Sequence, residues 1–188
     1  MLSHQINEDI LREMYNPKKI NEIHLQTKID LEEKPGIYAF WWMGDKQKLL
    51  TSYKEIELAG PGGDIKHLRF KDWWPADSPY PCLYVGKTTN LKNRFGLHIK
   101  SGSKGVLHPY IQRPQKAKAK TTTCQLRYGI EHIFRDEKNP LDIISNDVGF
   151  SYSLMGDNKE NDPVHERFYL ENLLIGHFRP WFNLDSER

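Results

Sequence analysis

Apolar residues recur at helical spacing near the start of the chain. Ile6, Ile10, Leu11, Met14 and Tyr15 predict one helix, which Pro17 stops. Past Pro35 and Gly36 the pattern becomes a short aromatic-rich run, 37–42, with the character of a strand. Alternation places Tyr38, Phe40 and Trp42 on one face and Ile37, Ala39 and Trp41 on the other. Residues 53–58 also alternate, and 60–63 (Gly-Pro-Gly-Gly) predict a turn or loop. The proline-punctuated segment 73–81 should wrap the surface in extended form. Residues 82–85 predict the next strand, ended by Gly86, after which Thr88 or Thr89 caps a helix to about Ile99. Residues 125–134 and 149–155 suggest two further strands, paired with each other. Asp162 and Pro163 then open a helix that runs to about Phe178 and stops before Pro180. No internal repeat or domain boundary is visible. The expectation is one α+β domain over 1–188, a small central antiparallel sheet flanked by helices, with 1–34 as a helical extension.

Composition narrows the class. The chain has 188 residues, 38% hydrophobic and 28% charged, which suits a soluble globular domain with a real core. The longest apolar run, 37–43, is too short to span a bilayer, and the polar start of the chain does not resemble a secretion signal. Cys82 and Cys124 are too few for a disulfide framework and lack metal-site spacing, so a cytoplasmic location is expected.

Charge changes the picture more. The formal net charge is +2, yet no Asp or Glu occurs between Ser78 and Ile130. That segment holds ten cations, leaving 17 basic against 25 acidic residues elsewhere. Such segregation suggests a surface for a polyanion, nucleic acid first, although a solvated basic loop has the same composition. Lys100, Lys104, Arg113, Lys116, Lys118 and Lys120 are the candidate phosphate contacts.

Two helices carry charge where apolar side chains belong. Leu91, Arg94, Phe95 and His98 share one stripe of the first. In the second, Glu171 interrupts a stripe of Val164, Phe168, Leu174, Ile175 and Phe178. A guanidinium in such a place needs an anion, and a carboxylate needs a cation, a metal or a proton. Arg94 and Glu171 could pair with each other, or Glu171 could hold a divalent cation while Arg94 holds a phosphate.

At these residues the chain resembles the GIY-YIG nuclease superfamily. Gly36-Ile37-Tyr38 is followed by Tyr84-Val85-Gly86, then by Arg94 ten residues after Tyr84, His98 one helical turn later, Glu171 in a later helix and Asn183 near the end. The likeness covers roughly 36–184. It departs from the compact family pattern in the 46 residues separating Tyr38 from Tyr84, which leave an insertion at about 43–80, and in Val85. The insertion could be a substrate-reading loop, an extra sheet or a partner surface. The resemblance implies a three-stranded antiparallel core within 35–184, which the insertion could extend.

The resemblance further implies a metal-dependent endonuclease. Glu171 would bind one Mg²⁺ or Mn²⁺ and Arg94 would clamp the phosphate. Tyr38 would be the general base, with Tyr84 assisting or exchanging roles. A phenol titrates near pH ~10, so positive charge from Lys87, Arg94 or the metal would have to help it. His98 would orient the water or contact the phosphate, and Gly36, Gly86 and Asn183 would support the site. The short chain fits a restriction-like member best, with repair or mobile-element nucleases as other homes. Cutting double-stranded DNA would then call for a homodimer. A non-catalytic nucleic-acid-binding module with the same fold, and a generic α+β domain with a structural Arg94–Glu171 pair, are the competing readings.

Overall fold

The computed structural model describes residues 6–25, 31–59, 65–99, 125–137, 140–156 and 163–183. The elements run α1 (Glu8–Met14), β1 (Lys18–Lys19), α2 (Ile20–Leu25), β2 (Gly36–Trp42), α3 (Lys46–Leu50), β3 (Glu55–Ala59), β4 (Ile65–Arg69), β5 (Cys82–Thr88), α4 (Leu91–Ile99), α5 (Gln125–Ile133), α6 (Pro140–Asp147), β6 (Val148–Leu154) and α7 (Val164–Phe178). The fold is α+β, with a four-stranded antiparallel sheet ordered β1-β6-β2-β5 and a separate β3-β4 ribbon.

Strand β2 is buried along its whole length because it lies in the middle of the sheet with helices on both sides. Its alternation sorts the core as expected. Tyr38, Phe40 and Trp42 join Leu91 and Phe95 of α4, Leu126 and Ile130 of α5 and Ile143 and Ile144 of α6. Ile37, Ala39 and Trp41 face Met14 of α1 and Leu170, Leu174 and Phe178 of α7. Pairing of β2 with β5 slips between Phe40 and Trp41, so Tyr84 opposes Phe40 while Cys82 opposes Trp41. This bulge lets Leu83 and Tyr84 both reach the first layer while Cys82 and Val85 face the second.

Several expectations are corrected. Strand β5 does not end at Gly86 but continues to Thr88, which pairs with Gly36. Helix α4 is capped by Asn90, whose Oδ1 accepts from the Asn93 amide at 2.9 Å; Thr88 Oγ1 instead accepts from the Asn90 amide. Residues 125–133 form helix α5, not a strand. Leu126, Ile130 and Phe134 satisfy both periods, and β6 already has β1 and β2 as neighbours, so no sheet edge there awaits a partner. Helix α7 ends at Phe178 as expected, with Arg179 left-handed at φ 51°. Its buried seam, however, is Arg167, Leu170, Leu174 and Phe178, and Val164 and Phe168 are exposed.

The core sheet gains its fourth strand from Lys18–Lys19, not from the insertion. The insertion builds α3 and the β3-β4 ribbon; its turn at 60–63 and the whole basic segment 100–124, with Cys124, lie outside the described residues. Cys82 is a free, buried thiol. Among the described residues no helix is long and apolar enough to cross a membrane.

Candidate active site

The site forms where β2 and β5 run side by side beneath α4, with α7 along the rim. Gly36 lets β2 lie close to β6, and Gly86 leaves room for the two tyrosine side chains. A Cβ on Gly36 would stand 2.7 Å from the Ser153 carbonyl oxygen. One on Gly86 would stand 2.5 Å from the Tyr38 hydroxyl and 2.9 Å from the Tyr84 ring, so only glycine admits both tyrosines. Strand β5 is an edge, and the chain end covers it. Asn183 accepts from the Val85 amide at 2.8 Å and donates to the Val85 carbonyl at 2.7 Å, while the Phe182 amide donates to the Leu83 carbonyl. Asn183 thus imitates a strand neighbour directly beside Tyr84 and Gly86.

Four of the expected residues meet in one buried array. Arg94 Nε donates to the Tyr38 hydroxyl at 3.1 Å, and the same hydroxyl lies 2.9 Å from His98 Nε2. Tyr84 hydrogen-bonds with both Arg94 and Tyr38. The rings pack closely, with centroids 6.1 Å apart for Tyr38 and Tyr84, 5.4 Å for Tyr38 and His98, and 5.7 Å for Tyr84 and His98. Tyr38 is 1% exposed, His98 2% and Tyr84 9%. Arg94 is less buried and reaches the array from the rim.

Burial decides the protonation of this array. It pushes the Tyr38 phenol well above its ordinary value; Tyr84 adds to the rise, and the Arg94 charge offsets only part of it. Burial also raises Tyr84, against the pull of Arg94. His98 falls to about 3, first from burial and then from the Arg94 charge beside it. At neutral pH the free site therefore holds two protonated phenols, a neutral imidazole and one guanidinium.

The remaining two residues form a separate pair on the rim. Lys87, near the end of β5, makes an ion pair with Glu171 of α7, and the pair is mostly shielded from solvent. Arg94 thus spends its bonds on phenols, and Glu171 meets Lys87 instead of Arg94. His98 sits behind Tyr38 and bonds to it. A divalent ion at Glu171 would have to displace Lys87, which holds that carboxylate in this structure. Among the described residues no group of three or more His, Cys, Asp or Glu converges. Glu171 would be its single charged side-chain ligand, with water and substrate oxygens completing the shell, as Mg²⁺ commonly accepts.

One residue of the rim was expected in the core. Phe168, one helical turn before Glu171, is half exposed, and the Lys87 ammonium lies 3.8 Å from its ring centroid. Its i, i+3 spacing from Glu171 was the available signal, but that spacing also fits a core position. No family model, no curated protein and no solved structure matches this chain.

Proposed function

We propose that the protein is a metal-dependent phosphodiesterase that cuts DNA, with Tyr38 as the proton acceptor for water. The observation that carries this reading is the hydrogen-bonded series Arg94 Nε, Tyr38 hydroxyl and His98 Nε2, buried beside an acidic rim residue. Arginine has no acceptor, so Arg94 must donate to Tyr38. In the proposed tautomer of neutral His98, with Nε2 unprotonated, that nitrogen accepts the Tyr38 proton. The series is directional, and the Tyr38 lone pair that faces Tyr84 in the free site must be released to receive a proton from outside.

The proposed step balances as follows. A water loses one proton to the Tyr38 oxygen while the Tyr38 proton passes to His98 Nε2. The hydroxide so formed attacks phosphorus, and the bond to the leaving sugar oxygen breaks. That oxygen takes its proton from solvent. Arg94, still partly open to the rim, turns its remaining N–H groups to the non-bridging oxygens, where a planar fork matches the phosphate. Tyr84 holds Arg94 and Tyr38 in register. An arriving anionic phosphate offsets the Arg94 charge, the second of the two effects that keep His98 neutral, and so raises its proton affinity when the proton must be received. Glu171 would hold a Mg²⁺ or Mn²⁺ ion, which when bound would offset charge on the phosphate and the leaving oxygen. Lys87 would then leave the carboxylate for the phosphate.

The segregated charge supports nucleic acid as the substrate, since the acid-free segment 78–130 brings its cations to the chain leaving α4. A restriction-like role with a homodimer on duplex DNA is one form of this proposal. The test is incubation of supercoiled and linear DNA with the protein and Mg²⁺ or Mn²⁺, beside Glu171→Gln. The expected result is nicking or linearisation by the wild type and a loss on the order of 100-fold or more in the variant, with DNA binding kept. Binding without cleavage by the wild type would make the chain a binding module. Neither binding nor cleavage would leave the array a structural device.

A further inference from the structure

Phe168 is conspicuous because α7 has already satisfied its packing elsewhere. The helix buries Arg167, Leu170, Leu174 and Phe178, whereas Phe168 stands 50% exposed and Val164, one turn earlier on the same stripe, 44% exposed. Glu171 continues that stripe. Scattered exposed apolar side chains are ordinary, but this ring is fixed to the site. Lys87, the partner of Glu171, caps it at 3.8 Å, a distance for strong cation–π attraction.

From this placement we infer that Phe168 is a stacking platform for a nucleobase next to the phosphate that is cut. The inference rests on the nuclease reading above and adds the group that grips the base. Arg94 and Lys87 supply the positive charge for the backbone, and the half-exposed ring under Lys87 supplies the apolar surface beside it. Backbone charge next to an open aromatic ring is the pairing by which single-stranded or locally opened nucleic acid is held without regard to sequence. The platform therefore receives an unstacked base, so the strand is opened at the cutting point.

The test compares wild type, Phe168→Ala, Phe168→Leu and Phe168→Trp by fluorescence anisotropy in Ca²⁺ or EDTA. The probes are a labelled single-stranded oligonucleotide and the same strand carrying consecutive abasic residues. Phe168→Ala should weaken binding of the normal strand on the order of 10-fold, Phe168→Trp should restore it, and Phe168→Leu should not. On the abasic strand the four proteins should bind alike. Because the ring is exposed, all should melt at nearly the same temperature. Equal binding of the normal strand by wild type and Phe168→Ala, or full rescue by Phe168→Leu, overturns the platform. If Arg94→Ala still abolishes cleavage in that case, the nuclease reading survives without it. Absence of any binding by the wild type removes both.

Discussion

The two halves of the site are built to opposite rules. Tyr38, His98 and Tyr84 sit in the core layer of α4, almost without solvent, and their protonation is set by burial. Lys87, Glu171 and Phe168 sit on the rim, where one ion pair and one cation–π contact hold them. Burial makes the first half rigid and expensive to alter, because each polar atom depends on the others. The rim pair, with its side chains 22% and 14% exposed, keeps more contact with water and so opens at lower cost than the buried array. A site that must keep its proton acceptor aligned and still admit a charged substrate gains from this division. Arg94 spans the two, bonded to phenols inside yet reaching the rim.

The sharpest way to break the comparison is at that span. Arg94→Lys keeps the charge but loses the fork that serves Tyr38 and a phosphate together, so cleavage should fall about 10²–10³-fold in a steady-state nicking assay. Retained activity would mean that charge alone suffices and that the buried half is not set by Arg94. Next in size is Gly86→Ala, whose new methyl would press on the Tyr38 hydroxyl and the Tyr84 ring. Denaturant unfolding should report about 1–3 kcal/mol of lost stability, together with lost cleavage. The smallest effect concerns acid. His98 is held near 3 when folded against an ordinary 6.5, so the unfolded chain binds more protons between these values. Its contribution is complete above pH 6.5 and is lost as pH falls, by about 1 kcal/mol from pH 6.5 to 5.5. His98→Gln should remove that part of the acid slope, while Lys87→Met should leave it in place. This contrast separates the two halves directly.

Much of the fold was legible from residue patterns. The alternation of β2 sorted its side chains to the two faces correctly because that strand is central and every position has a layer to enter. The strand at 149–155 and the end of α7 were equally plain, the latter because Pro180 forbids continuation. Helix α5 was not legible, since its apolar residues fit both periods and the choice depends on which sheet edges are already filled. That Arg94 and His98 turn toward the core side of α4 followed from charge placed on an apolar stripe. Their pairing, and that of Glu171, did not follow. Lys87 is separated from Glu171 by more than half the site's sequence span, and only the register of β5 against α7 brings them together. Phe168 was read as core because exposure depends on how α7 is rotated, which its sequence leaves ambiguous.

The central claim is that the buried hydroxyl of Tyr38 takes the proton from water. Tyr38→Phe tests it most directly, since the ring still fills its place between Phe40, Tyr84 and His98. The variant should fold with a cost of about 1–3 kcal/mol for the partners left behind. With DNA and Mg²⁺ or Mn²⁺ it should cut about 10²–10⁴-fold more slowly than the wild type while binding DNA equally well. Cleavage by Tyr38→Phe at the wild-type rate would contradict the account.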